Sequence, residues 1–407
     1  MEKFEIDAYS PAQMAGRVEK AGITKGNLDF TTMFALAIMA GVFIAFGAVL
    51  CTFVITDPPE GMSEGLIKLI GGLVFCIGLI LVVVAGAELF TGNNLIIMAY
   101  VGKKVTFGQL MRNWVIVFLG NLVGSLIIVY LVYMTGMWTG GKAAVGIKAL
   151  LIANGKVNLS FSQAFFRGIL CNMLVCLAVW LCFSGRSVTD KILAILFPIT
   201  AFVALGFEHS IANMYFIPAG IVVKGLAPVM QALEAKGSIP DLSSLNIYGF
   251  FIKNLLPVTL GNIVGGAAFI GAIYWFVYLR PAAIEPVRQF MTVGPPTIKA
   301  GTTVCEAIRI MKESNSGSIL VGEPGNAVGI MSEADIIKKL LAEGKECKMV
   351  KVEEAMSSPL ITIDVKSTLD DVYKKMSDNQ IRHLVITEQG KQIGFVSVKD
   401  LLKKGKK

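Results

Sequence analysis

Gly86-Ala87-Glu88-Leu89-Phe90-Thr91-Gly92-Asn93 and Gly206-Phe207-Glu208-His209-Ser210-Ile211-Ala212-Asn213 decide the fold. Aligned, Gly, Glu and Asn coincide at an offset of 120 residues. Each stretch interrupts a long apolar run, over 66–101 and 191–223. About 20 apolar residues suffice to cross a bilayer, so both runs are too long for one straight helix. Charged side chains inside a span are costly. Backbone released from a helix cannot face lipid and must be buried or line a water-filled cavity. Half-helix ends also present N–H groups that attract anions. Two breaks at matched positions therefore point to a substrate site near the membrane midplane.

Working outward, the remaining spans fall at 31–55, 107–135, 163–184 and 247–279, six in all. Asn113, Gly120, Asn121, Val123 and Gly124 match Asn254, Gly261, Asn262, Val264 and Gly265 at an offset of 141. Spans one to three and four to six thus read as two copies of one unit. With three spans per copy, the second enters the membrane inverted. The pairs Gly120/Gly124 and Gly261/Gly265 are read as close helix contacts, where small residues let backbones approach.

Charge divides the chain. Residues 1–280 hold 18 Lys+Arg and 13 Asp+Glu, whereas residues 281–407 hold 19 and 16 in less than half the length. A charge-poor membrane domain (31–280) follows a polar N-terminal segment (1–30) and precedes a soluble domain at 287–407. The net charge of +8 is spread over both parts, so no nucleic-acid footprint is read. Five cysteines, Cys51, Cys76, Cys171, Cys176 and Cys182, lie in apolar runs as small hydrophobes, and no spacing involving these or Cys305 and Cys347 reads as a metal site. The polar first thirty residues give no cleavable signal peptide. Lys103, Lys104 and Arg112 between spans two and three, and Arg186 and Lys191 between four and five, place both termini in the cytoplasm of a plasma-membrane protein by the positive-inside rule. The loop 136–162, with Lys142, Lys148 and Lys156, faces outward against that rule.

The stretches AGAELFTGN (85–93), GILCNMLVCLAVW (168–180), GFEHSIANMYFIPAGI (206–221) and NLLPVTLGNIVGG (254–266) resemble the formate–nitrite transporter family, in particular its bacterial formate-channel branch. The resemblance covers residues 5–280. It implies an α-helical, aquaporin-like six-span inverted repeat, a homopentamer with one pore per protomer, and formate as the substrate. It also assigns residues: a loop around Leu89, Phe90 and Thr91; a constriction of Phe75, Leu79, Leu89, Phe90, Val175 and Phe202; a pore histidine, His209, with Glu208 and Asn213; polar positions Asn172 and Asn262; and a pore-side lysine, Lys156, in the loop before span four.

These assignments make chemical sense. Hydrophobic rings exclude hydrated ions, so a small anion must shed water or become neutral. Lys156 raises the local anion concentration by Coulomb attraction. His209 can donate a hydrogen bond or a proton, and the anion is transiently protonated near it. Against these roles stand plain interhelical bonding for His209, core packing for Phe75, Leu79 and Phe202, and a solvated loop position for Lys156. Nitrite and hydrosulfide are alternative substrates of the same class.

The tail also repeats, at an offset of 65. PPTIKAGTTVCEAIRIMKESNSGSILV (295–321) and PLITIDVKSTLDDVYKKMSDNQIRHLVI (359–386) are followed by VGIMSEADI (328–336) and IGFVSVKDL (393–401), reading strand, helix, two strands and helix. Phe290-Met291 and Ala355-Met356 each precede a short strand. The tail resembles a pair of CBS motifs, named for cystathionine β-synthase, packed as one α/β regulatory module. The resemblance implies an adenine nucleotide, with Asp335 and Asp400 on a ribose and Ser332 and Ser397 facing phosphate; simple helix N-capping is the other reading of the serines. No cofactor is required for transport. The breaks hold no metal cluster, nucleophile–base pair or cofactor motif, so no enzyme is expected. A membrane-anchored nucleotide receptor without transport is the remaining rival.

Overall fold

The computed structural model describes residues 9–237, 239–280 and 287–404. The first eight residues of the expected N-terminal segment, the junction 281–286 and the last three residues lie outside the described residues. The chain forms two compact units, one reaching to Leu279 and one starting at Arg280.

The first unit is helical. Helix α1 (Pro11–Gly26) starts at a Ser10/Gln13 capping box. Asp29 caps α2 (Phe30–Val54) and Ser63 caps α3 (Glu64–Ala85), each accepting a first-turn N–H. Past the first break come α4 (Phe90–Asn93) and, after one tight turn, α5 (Ile97–Val101). Capping boxes at Thr106/Gln109 and Ser160/Gln163 start α6 (Phe107–Met134) and α8 (Phe161–Cys182), on either side of α7 (Ala144–Val157). Helices α9 (Val188–Ala204) and α10 (Ser210–Lys224) flank the second break, and α11 (Ala227–Ala235) follows. The last span, α12 (Gly249–Leu279), carries wide π turns. Among the described residues, α2, α3, α6, α8 and α12 are each long and apolar enough to cross a membrane, at 22–31 residues. Exposed Phe46, Leu73, Leu131 and Phe197 need lipid or neighbouring subunits to cover them.

Helix packing repeats the duplication. A Cβ at Gly124 would meet the Ile38 carbonyl, and one at Gly265 the Ile169 carbonyl. The first contact joins α2 to α6 and the second α8 to α12, so spans one and four match at a third offset, 131. The glycines let two helix backbones touch, as read from sequence.

One expectation is corrected here. Residues 136–162 are not a plain loop: α7 fills 144–157 and buries Ile147, Leu150, Ala153 and Val157. Its 14 residues are too few to give a spanning signal. The N-terminal segment packs on the helices that follow it. Met14, Ala15 and Val18 of α1 pack with Leu95, Met98 and Trp180 of the membrane unit.

The second unit is α/β. Strands β1 (Thr292–Val293), β2 (Thr297–Ile298), β3 (Ser318–Glu323) and β4 (Asn326–Ser332) precede β5 (Thr362–Asp364), β6 (His383–Glu388) and β7 (Lys391–Ser397). The strands form two sheets, β2-β3-β4 and β1-β7-β6-β5. Strand β1 leaves its own copy and pairs antiparallel with β7, Thr292 opposite Phe395. Helices α13 (Val304–Glu313) and α16 (Leu369–Asp378) each bury one apolar face, through Val304, Ala307 and Met311 and through Val372 and Met376. Short helices α14 (Glu333–Ile336), α15 (Val352–Ala355) and α17 (Val398–Lys404) complete the two copies. Cys305 and Cys347 form a disulfide that the sequence reading did not foresee.

Candidate functional site: two matched charge clusters around a buried histidine

Each break begins with a left-handed glycine, Gly86 at φ 81° and Gly206 at φ 69°. Glycine alone takes this conformation without a Cβ penalty. Glu88 N–H then donates to Leu36 O at 3.2 Å, and Glu208 N–H to Arg167 O at 3.3 Å. The next free backbone groups go to asparagines. Asn121 Oδ1 accepts from Phe90 N–H (3.0 Å), while its Nδ2 donates to Ala37 O (2.7 Å) and Glu88 O (2.9 Å). Asn262 does the same for Ser210 N–H (2.9 Å), Gly168 O (2.8 Å) and Glu208 O (3.0 Å). Buried backbone groups must be paired, which explains why a fully buried asparagine recurs at this position.

Three of the N–H groups at the half-helix ends are taken by side chains. Asn121 takes Phe90 N–H, Asn262 takes Ser210 N–H, and His209 Nδ1 takes Ala212 N–H at 3.0 Å.

The glutamates organise two further clusters. Lys25 Nζ donates to Glu88 Oε1 at 2.6 Å and to Asn93 Oδ1 at 3.0 Å. Asn93 Nδ2 donates to Glu88 Oε2 (2.6 Å) and Asn113 Oδ1 (2.9 Å), and Asn113 Nδ2 to Lys25 O (3.1 Å). In the second copy, Lys156 Nζ donates to Glu208 Oε1 at 2.8 Å. Asn213 Nδ2 donates to Glu208 Oε2 (2.7 Å) and Asn254 Oδ1 (2.7 Å), and Asn254 Nδ2 to Lys156 O (3.0 Å). Lys156 therefore ends a helix and is ion-paired, not loose on a loop; its side chain is 16% exposed. Both pairs join a buried carboxylate to a lysine from a short partly buried helix, the arrangement that keeps an intramembrane acid tolerable.

Between the clusters sits His209. Its Nε2 is 3.0 Å from Thr91 Oγ1, which joins the two breaks. Because Nδ1 accepts from Ala212, the neutral ring carries its proton on Nε2 and donates it to Thr91. Phe202 stacks on the ring at 5.8 Å, and Phe75 meets Phe202 edge-on at 5.7 Å. Asn172 Nδ2 donates to Asn262 O (2.7 Å) and Asn94 Oδ1 (2.9 Å), tying α8 to both halves.

Two cavities lie among these groups. One of about 390 Å³ is lined by Lys25, Glu88, Asn93, Leu79 and Leu89. The other, about 190 Å³, is lined by Lys156, His209, Asn213, Phe75, Phe202 and Phe216. Leu79 thus faces one cavity and Phe75, one turn before it on α3, the other. Phe90 and Val175 line neither cavity; Phe90 packs edge-on against Phe118 and Trp114 at 5.1 and 6.2 Å. The sequence reading omitted Lys25, Asn93, Asn113 and Asn254 from the site. The offset of 131, which carries Lys25 onto Lys156, is the signal that finds the lysine.

In the second unit, Ser332 and Ser397 both cap a helix. Each donates its hydroxyl to the aspartate three residues on, Asp335 (2.6 Å) and Asp400 (2.5 Å). Asp335 also pairs with Lys339 at 2.9 Å and accepts from Ser357 Oγ at 2.8 Å. Burial alone would raise the Asp335 carboxyl, but the bonds from Ser332, Lys339 and Ser357 hold it below the usual range.

Residues 12–276 match the family described as formate/nitrite transporter, and 287–342 and 352–407 each match the CBS domain. The formate channel FocA of Escherichia coli K12 is 44% identical over 276 residues, 68% of this chain and 96% of that protein. A probable formate transporter of Methanothermobacter thermautotrophicus is 41% identical over 286 residues, covering 67% and 97%. A solved pentameric formate channel with formate bound aligns with a TM-score of 0.56 at 43% identity, over 61% of this chain and 98% of that one. The chain belongs to the formate/nitrite transporter family and carries a pair of CBS domains behind its membrane unit.

Proposed function

We propose that the membrane unit conducts a small monovalent weak-acid anion, formate first, through one pore per protomer of a homopentamer in a lipid bilayer. The observation that carries this reading is the pair of lysine–glutamate–asparagine clusters on either side of the buried His209–Thr91 contact. The formate channels among the relatives supply the substrate, and the solved pentamer supplies the assembly.

In mechanism, the lysines draw the anion toward the cavities by Coulomb attraction. The Phe75, Leu79 and Phe202 side chains strip its water, and Leu89, Phe90 and Val175 support the constriction. His209 meets it with the Nε2 proton now held on Thr91. With Nδ1 committed to the helix cap, hydrogen-bond donation fits the neutral ring better than proton donation. Any proton the anion takes comes from a hydronium ion of the bulk, which becomes water, and Asn172 and Asn262 hold the breaks in place. This is transport, not catalysis. Stopped-flow swelling of proteoliposomes with formate, nitrite and hydrosulfide side by side tests it: formate is expected to lead, and equal swelling with all three overturns the preference.

The CBS pair fits a regulatory role, with an adenine nucleotide held by Ser332, Asp335, Ser397 and Asp400. Calorimetry of the full chain with AMP, ATP and S-adenosylmethionine tests this; no heat with any of them removes it. Both termini belong in the cytoplasm on the charge of the 102–112 and 184–191 segments, which accessibility labelling of single-cysteine variants checks.

A further inference from the structure

Cys305 and Cys347 are joined within the second unit, while the five cysteines of the membrane unit are buried and unlinked. The Cα atoms of the pair are 4.8 Å apart, inside the range a disulfide spans. Cys305 is the second residue of α13, after the Thr303 cap and Val304. Cys347 lies in the segment that joins the two CBS copies, where residues 341–346, Lys348 and Met349 are exposed. Cys305 and Cys347 are themselves only half-buried.

The contact does not need the sulfur link. Val304 N–H donates to Val350 O at 2.9 Å, Cys305 N–H to Cys347 O at 3.1 Å, and Val352 N–H to Thr302 O at 2.9 Å. Val304, Ala307, Leu340, Val350 and Val352 share one buried cluster beneath them. Nor does the CBS fold need it. At the offset of 65, the second copy starts the same helix with Thr368 as cap and Asp370 in place of Cys305. A helix N-terminus stabilises negative charge, so the position that holds an aspartate in one copy suits a cysteine thiolate in the other. A cross-link that the fold can do without, set in an exposed segment, is of the labile kind rather than the structural kind.

We infer that Cys305 and Cys347 form a redox modification site. A low-molecular-weight disulfide such as glutathione disulfide closes the dithiol, and the corresponding thiol reopens it. The closed form clamps the 341–350 segment between the CBS copies onto α13. This goes beyond the transport reading and does not depend on it. On the cytoplasmic placement proposed above, the thiol pool keeps the pair open, and closure registers an oxidising shift.

In closing, the Cys305 thiolate attacks one sulfur of glutathione disulfide, forming a mixed disulfide and releasing one glutathione thiolate. The Cys347 thiolate then attacks the Cys305 sulfur and releases the second. The two cysteines lose two electrons, and one glutathione disulfide gains them to become two glutathiones. The two cysteine protons pass through solvent to those thiolates.

The test uses the full chain in detergent. It is equilibrated with excess reduced glutathione or with glutathione disulfide, quenched with N-ethylmaleimide, and read by peptide mass spectrometry. Reduced glutathione is expected to leave both cysteines alkylated, glutathione disulfide to leave them cross-linked, and reversal of the buffer to reverse the result. Trypsin added to the folded chain should cut after the exposed Lys345 and Lys348 about tenfold faster in the open form, because the cross-link no longer restrains local opening. Cys347→Ser should cut at the faster rate in both buffers and take up one glutathione on Cys305. Cys305→Ser should take up glutathione on Cys347 more slowly. A pair that stays linked in reduced glutathione while the chain is folded, or that fails to relink in glutathione disulfide, overturns the redox site. Equal cutting of the two forms overturns the clamp, and faster uptake by Cys305→Ser overturns Cys305 as the attacking thiol.

Discussion

Replacing Lys156 with methionine keeps most of the side-chain volume and removes one charge. Glu208, with its side chain 4% exposed, is left with an uncompensated charge inside the helical bundle. Deleting one partner of a buried pair costs about 3–5 kcal/mol. Asn213 and Asn254 still donate to the carboxylate, at 2.7 and 3.2 Å, so the low end applies, about 3 kcal/mol. The matched Lys25→Met should cost less, about 1 kcal/mol, because the Lys25 side chain is 32% exposed and solvent screens that pair. Equilibrium unfolding in SDS, followed by tryptophan fluorescence, measures both. A cycle with Glu208→Gln adds the decisive number: the double variant should be more stable than the two losses predict by at least about 1 kcal/mol, since the residues share one network. Equal losses for the two lysine variants, or strictly additive losses in the cycle, would refute the claim that the pairs differ in burial and act as units.

Further consequences can be checked separately. His209→Asn should retain formate flux, since its amide oxygen can cap α10 and its N–H₂ can still donate; His209→Leu should lose it, as uptake into vesicles would show. Gly124→Val should cost about 3 kcal/mol or more and block assembly, because its Cβ meets the Ile38 carbonyl rather than a flexible side chain; size-exclusion chromatography reports this. In the second unit, burial pushes the His383 imidazole below its ordinary value, against the pull of Asp400 and Glu333. The unfolded chain then binds more protons than the fold between the lowered value and about 6.5, so this contribution is whole above about pH 6.5 and is lost on acidification. Hydrogen exchange of the β6 amides in the full chain should show protection falling with pH there, and His383→Gln should weaken that fall.

The fold was legible where chemistry repeats. Gly86-x-Glu88 and Gly206-x-Glu208 mark the breaks because only glycine turns the chain there and only a paired acid survives there. Asn121 and Asn262 stand out as polar residues in apolar spans, and the structure shows why: each closes one loop of free backbone. Less visible was anything that depends on distant partners. Lys25 reads as one of several lysines in a polar segment until Glu88 is placed beside it, 63 positions away in sequence. Helix α7 hid because a short helix with one buried face looks like a loop to a search for spans. The CBS duplication announced itself at an offset of 65, yet β1 crossing to pair with β7 did not. A two-residue strand has no pattern, and its partner lies about a hundred residues on. The cavity division between Phe75 and Leu79 follows from their one-turn spacing on α3, while Phe90, assigned to the same constriction, is taken up by Trp114 and Phe118.

The central claim is that formate passes between the two charge clusters by way of the His209–Thr91 contact. Thr91 is fully buried there, 3.0 Å from the imidazole, so a bulky residue in its place fills the path and leaves both ion pairs alone. Stopped-flow light scattering of vesicles holding the protein or its Thr91→Tyr variant, challenged with formate, tests this most directly. The account predicts rapid formate-driven swelling for the unaltered protein and swelling no faster than protein-free vesicles for the variant. Equal swelling by both would contradict it.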